Sequence, residues 1–213
     1  MEKLDLDIPL SSVTLKGDLV IPENAIGIIV FSHGSGSSRF SVIAELLQQK
    51  KIGTFLFDLL TEEEDGIYEN RFNIDLLTNR LIETTLWLMG CKGAKNITIG
   101  YFGASTGAAS ALGAAAHFGE RIKAVVSRGG RPDLAITELP LVTAPTLLIV
   151  GGEDVPVIGM NKMAYDQLQS IKEMKIIPGA THLFEEPEKL QEVADLAIVW
   201  YKRYLTKENQ LIL

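Results

Sequence analysis

The sequence predicts a three-layer α/β/α sandwich, with a mostly parallel β-sheet between two layers of helices and an antiparallel hairpin at its N-terminal end. Three observations carry this. Short, continuous runs of β-branched and apolar residues recur along the chain, as expected of strands covered on both faces. Segments with apolar residues three and four apart separate them. The chain also opens with a period of two, the mark of a half-buried strand. Alternating strands and helices form βαβ units with right-handed crossovers, and such units build a parallel sheet.

Taken in order, Leu4, Leu6 and Ile8 alternate with Asp5 and Asp7. Val13, Leu15, Leu19, Val20 and Ile21 supply a partner strand, which gives the hairpin. Gly27–Phe31, Gly53–Phe57, Ile97–Phe102 and Pro145–Val150 are the continuous runs; Ile122–Val126 is a weaker one and Met174–Ile177 a short last strand. Helices are expected over 40–50, around Ile43, Leu46 and Leu47, and over 71–89, around Leu77, Leu81 and Leu88. A third covers the alanine-rich stretch 105–118, because alanine is the strongest helix former. The last helix places Pro187 in its first turn and aligns Leu190, Val193, Ala197, Trp200 and Tyr204 in one stripe. The run Glu62-Glu63-Glu64-Asp65 reads as a solvated loop.

A length of 213 residues suits a single α/β domain over 1–213, without a lid domain. A hydrophobic fraction of 46% sets disorder aside. The net charge of -7 repels polyphosphate and argues against a nucleic-acid partner. No apolar run approaches the roughly 20 residues that a membrane span needs. Charged and apolar residues alternate from Met1 to Asp5, so no secretory signal is expected. The single cysteine, Cys91, cannot form an internal disulfide, in agreement with a cytoplasmic setting.

In parallel sheets the chemistry gathers at the carboxyl ends of the strands. Gly103-Ala104-Ser105-Thr106-Gly107 follows one predicted strand and opens one predicted helix. A turn that tight strains the serine and lifts its oxygen out at the positive end of a helix. A serine hydroxyl needs a base, and imidazole can serve near neutral pH. Of three histidines, His117 lies about 18 Å along the helix from Ser105, and His33 is embedded in a glycine loop. His182, after the last short strand, is therefore the base. Asp154, just beyond the Pro145–Val150 run, is the carboxylate placed to orient it, since the Ser–Asp–His order calls for an acid between 105 and 182. Asp133 ranks second; Asp58, though at a strand end, precedes the serine. Acyl transfer also needs N–H donors for the developing oxyanion. Thr106 offers one, and the glycine loop His33-Gly34-Ser35-Gly36-Ser37-Ser38 offers another at Ser35.

The motifs HGSGSS (33–38), GASTG (103–107), GGEDVPV (151–157) and GATH (179–182), in this order, resemble the α/β-hydrolase superfamily, and within it the small, lidless dienelactone-hydrolase-like proteins. The resemblance implies an enzyme cleaving small carboxylic esters through an acyl-enzyme on Ser105, without metal or organic cofactor. Dienelactone hydrolases carry cysteine as nucleophile, whereas position 105 is serine, which favours ordinary esters over lactones. Gly34, Arg39 and Arg128 are the candidate substrate contacts. Arg39, Arg128 and Arg131 could recognise a substrate carboxylate or pair with acids such as Asp133. The partner is a small ester, and a homodimer is left open. Two other readings stand beside this one: a catalytically silent binding or scaffolding protein on the same fold, and a lactone hydrolase.

Overall fold

In the computed structural model, which describes residues 3–32 and 39–206 (backbone alone at 39 and 40), strands β1 (Lys3–Pro9) and β2 (Thr14–Val20) pair antiparallel as the predicted hairpin. The remaining strands are β3 (Ile28–Ser32), β4 (Gly53–Phe57), β5 (Ile99–Ala104), β6 (Ile122–Arg128), β7 (Thr146–Gly151) and β8 (Lys172–Ile177). They form one sheet in the order β1-β2-β4-β3-β5-β6-β7-β8. β2 joins β4 antiparallel, and every later pairing is parallel. The fold is the three-layer sandwich that the sequence predicts. Among the described residues no helix is long and apolar enough to cross a membrane.

Helices α1 (Arg39–Gln49) and α6 (Lys189–Leu205) cover one face. Helices α3 (Ile74–Gly90), α4 (Thr106–Phe118) and α5 (Val155–Gln167) cover the other. Each central strand feeds both cores by simple alternation. Ile28 and Val30 pack with Leu77, Leu81 and Leu112, while Ile29 and Phe31 pack with Ile43, Leu47 and Ala197. This double burial is why the strands read as unbroken apolar runs. Each such side chain stabilises the fold by about 1.5–3 kcal/mol relative to exposure. The two tryptophans are packing elements: Trp87 stacks on Phe55, and the Trp200 indole N–H donates to the Pro145 carbonyl.

Several elements differ from the expectation, β5 and β8 by two residues at their ends and α3 by three at its start. The acidic run is a one-turn helix, α2 (Glu62–Asp65), closed by a capping box between Thr61 and Glu64. Helix α6 begins at Lys189, behind Glu188 in a left-handed conformation, so Pro187 precedes its first turn. β6 runs two residues further than predicted, to Arg128. Helix α5 was not expected at all. Its buried residues are Val157, Asn161 and Ala164, so an asparagine interrupts the stripe that would have announced a helix.

Candidate active site

Ser105 sits between β5 and α4 with φ 51° and ψ −127°. A non-glycine residue there costs about 1–3 kcal/mol, which only surrounding packing can hold. The packing is visible. A Cβ on Gly103 would lie 2.6 Å from the Ala108 Cα and 2.7 Å from the Gly107 carbonyl, so strand and helix backbones touch where glycine alone fits. The Ser105 carbonyl accepts from the Ala108 N–H (3.1 Å) and from the Arg131 N–H (3.0 Å). The serine side chain makes no capping bond to its helix. Thr106 is the first residue of α4, where backbone N–H groups have no intrahelical acceptor.

Asp154 and His182 meet at the ends of β7 and β8. His182 Nδ1 lies 2.6 Å from Asp154 Oδ2, with the carboxylate largely buried and the ring 40% exposed. Asp154 is the N-cap residue of α5, yet its side chain is turned away from the helix toward the ring. The two loops interlock through backbone. The Gly152 N–H donates to the Ile177 carbonyl and the Glu153 N–H to the Ala180 carbonyl. A Cβ on Gly151 would collide with the Ala180 carbonyl oxygen and lie 2.6 Å from that of Thr181. Behind the histidine, Glu186 accepts from the Thr181 N–H (3.1 Å), and the bonds around Thr181 hold its carboxyl below the usual carboxylate range.

Among the described residues no hydrogen bond joins the Ser105 hydroxyl to the His182 ring. What connects the two is the turn after β6. Gly129, at φ +52°, lies where a Cβ would be 3.0 Å from the His182 carbonyl and 3.6 Å from its Nδ1. Two residues on, the Arg131 N–H holds the Ser105 carbonyl. The sequence reading missed this turn, although the Gly129-Gly130 doublet at a strand end was a signal for it.

The remaining candidates separate. Asp133 is bound by Arg131 through three bonds, at 2.9, 3.3 and 2.8 Å, and so is paired with the guanidinium. Arg128 is buried, 4% exposed, with its guanidinium 5.4 Å from the Phe184 ring centre. His117 is exposed at the far end of α4, its ring against Phe118. Asp58 is exposed just beyond β4. Gly34, Ser35 and the Arg39 side chain lie outside the described residues. Among the described residues no group of three His, Cys, Asp or Glu side chains is arranged to hold a metal ion.

A mostly parallel sheet in this strand order, covered on both faces and carrying a strained serine between a central strand and the next helix, defines an α/β hydrolase. A sequence profile of the dienelactone hydrolase family matches residues 19–206, and the chain belongs to that family. It is 51% identical to a crystal structure of a dienelactone hydrolase from Anabaena variabilis, covering 95% of this chain and 98% of that one with a TM-score of 0.92. Est1E from Butyrivibrio proteoclasticus shares the fold at 15% identity, with a TM-score of 0.77 over 93% of this chain and 99% of its own. A protein of Mycobacterium tuberculosis strain H37Rv that bears the provisional name phosphoribosyl transferase is 48% identical over 205 residues, 94% of this chain. This chain spans 46% of that protein's length.

Proposed function

We propose that the chain hydrolyses small carboxylic esters with Ser105 as nucleophile, His182 as base and Asp154 as the residue that orients the base. The observation that carries this is the 2.6 Å contact between His182 Nδ1 and Asp154 Oδ2, on the same sheet edge as a serine in a strained elbow. Bonded through Nδ1, the ring keeps Nε2 free to take a proton. Ser105 attacks the ester carbonyl as His182 Nε2 accepts the hydroxyl proton. The oxyanion rests on the N–H groups of Thr106 and Ser35. His182 then gives its proton to the leaving alcohol, and water releases the acid from Ser105 by the same two steps. Hydroxyl–imidazole bonds of empty sites commonly tighten only around substrate. Gly34, Arg39 and Arg128 are assigned to substrate contact, with a substrate carboxylate as the group either arginine would recognise. The single thiol, Cys91, accords with a cytoplasmic setting.

A second reading, lactone hydrolysis, is favoured by the 51% identity to a protein named dienelactone hydrolase. A lactone is a cyclic ester, so the steps are unchanged and the leaving alcohol stays tethered to the acyl group. The transferase name belongs to a protein of which this chain spans less than half, and nothing in the proposed chemistry needs it.

The test is labelling with a fluorophosphonate probe, read beside turnover of 4-nitrophenyl esters of increasing acyl length. Stoichiometric labelling that Ser105→Ala abolishes, together with ester turnover, is the expected result. Folded protein that takes up no label and turns over no ester sinks the reading in favour of a catalytically silent fold.

A further inference from the structure

The unexpected asparagine of α5 is buried completely, at 0% exposure. Its amide Nδ2 donates to the Gly130 carbonyl at 3.0 Å and to the Val157 carbonyl, one turn back on its own helix, at 2.9 Å. Its Oδ1 is buried without a hydrogen-bond partner among the described residues. Orienting a buried amide this way has a cost, since an unsatisfied buried polar atom destabilises the fold. A leucine would fill similar space without that cost. The amide is therefore best explained by what it holds.

What it holds is the turn that joins the two halves of the candidate site. Gly130 packs so closely that a Cβ there would collide with the Ser127 hydroxyl and the Ala108 side chain. The residue before it, Gly129, is pressed against the backbone and ring of His182. The residue after it, Arg131, donates its N–H to the carbonyl of the strained Ser105. Asn161 itself stands on the helix whose N-cap is Asp154. One path of bonds thus runs from Asp154 along α5 to the Asn161 amide, then to the Gly130 carbonyl, the Arg131 N–H and the Ser105 carbonyl.

We propose that Asn161 is a positioning residue that sets the distance between the nucleophile elbow and the Asp154–His182 pair by anchoring the Gly129–Arg131 turn. The inference rests on the triad reading above. It predicts a specific kinetic signature, because displacement of about 1 Å between reacting groups can lower turnover about a hundredfold without altering what binds substrate.

The experiment compares the parent protein with Asn161→Leu and Asn161→Asp, two variants of similar size that cannot make the neutral amide's pair of donations. Each is assayed with 4-nitrophenyl acetate and with the fluorophosphonate probe, at a temperature below its measured Tm. The expected result is a fall in kcat and in labelling rate of at least about tenfold, with KM within about twofold. If the parent is labelled and either folded variant reacts at the parent's rate, this inference is overturned and the triad reading stands. Failure of both variants to fold also overturns it, since Asn161 would then be serving the fold. A parent that takes no label and turns over no ester overturns the triad reading and this inference together.

Discussion

The carboxyl edge of the sheet is built in two different ways on its two sides. On the side of β6, β7 and β8, backbone locks against backbone: Gly151 makes room for the Ala180 and Thr181 carbonyls, and Gly129 for that of His182. On the side of β4, the stretch 61–73 is held by side chains. Arg80 reaches from α3 to Glu64 (2.7 Å) and to the Ser12 hydroxyl (2.8 Å), and Arg71 grips Asp65 through two bonds. That stretch also shows Ile67, Tyr68 and Phe72 to solvent. Close-packed backbones cannot shift without breaking hydrogen bonds, whereas a partly exposed pair such as Arg71–Asp65 is weak and adjustable; Arg80 is itself buried. The rigid construction lies under the groups proposed to carry out the chemistry.

The strongest way to break this comparison is at the centre of the rigid side. Asp154→Asn keeps the shape but holds the imidazole in the wrong tautomer, so kcat should fall by about 10⁴ while the melting temperature barely moves. Retention of more than a tenth of the parent's kcat toward a 4-nitrophenyl ester would remove Asp154 from the mechanism. A smaller effect, on stability as well as rate, is expected from Gly151→Ala. Its new Cβ meets a carbonyl that cannot retreat without breaking the Glu153–Ala180 hydrogen bond. The cost is about 1–3 kcal/mol, visible in a urea melt, with loss of ester turnover. An unchanged melt would show that the two loops are not locked.

The smallest effect is expected on the adjustable side, and it depends on pH. Burial pushes the Glu64 carboxyl up, but the hydrogen bond from the Thr61 amide and the hydrogen bond and charge of the Arg80 guanidinium outweigh it, leaving the group below its ordinary range. A carboxyl lowered in the folded state contributes stability that is complete above the unfolded value near 4.5. That contribution is lost as the pH falls through the lowered folded value. Glu64→Gln should therefore cost about 1 kcal/mol at neutral pH, with the gap between variant and parent closing below pH 4.5. Urea melts at the two pH values measure it; a gap that stays constant would show that Arg80 gains nothing from the charge.

Much of the fold was legible because strand and helix periods are local. β4 was placed to the residue, and the elbow at Ser105 was readable because a strand, a small-residue turn and an alanine-rich helix follow one another directly. Helix α5 was not legible, since its inward stripe carries Asn161 where an apolar residue was expected. The acidic run at 62–65 held a readable capping signature, Thr61 with Glu64, but charge density masked it. The role of Arg131 was open between substrate and acid, and its three bonds to Asp133 show it paired with the acid.

By itself the sequence determined the eight strands, the helices other than α2 and α5, their order, and which residue types stand at the ends of the strands. It named Ser105 from the strand–turn–helix pattern around it, His182 by elimination among three histidines, and Asp154 by its place at a strand end between the two. Only the tertiary structure decided that Asp154 and His182 touch, and that the Gly129–Arg131 turn spans from His182 to Ser105. Those contacts depend on the parallel register of β6, β7 and β8 and on glycines that let three loops approach. Register and close approach are properties of packed neighbours far apart in the chain, and a local period carries no record of them.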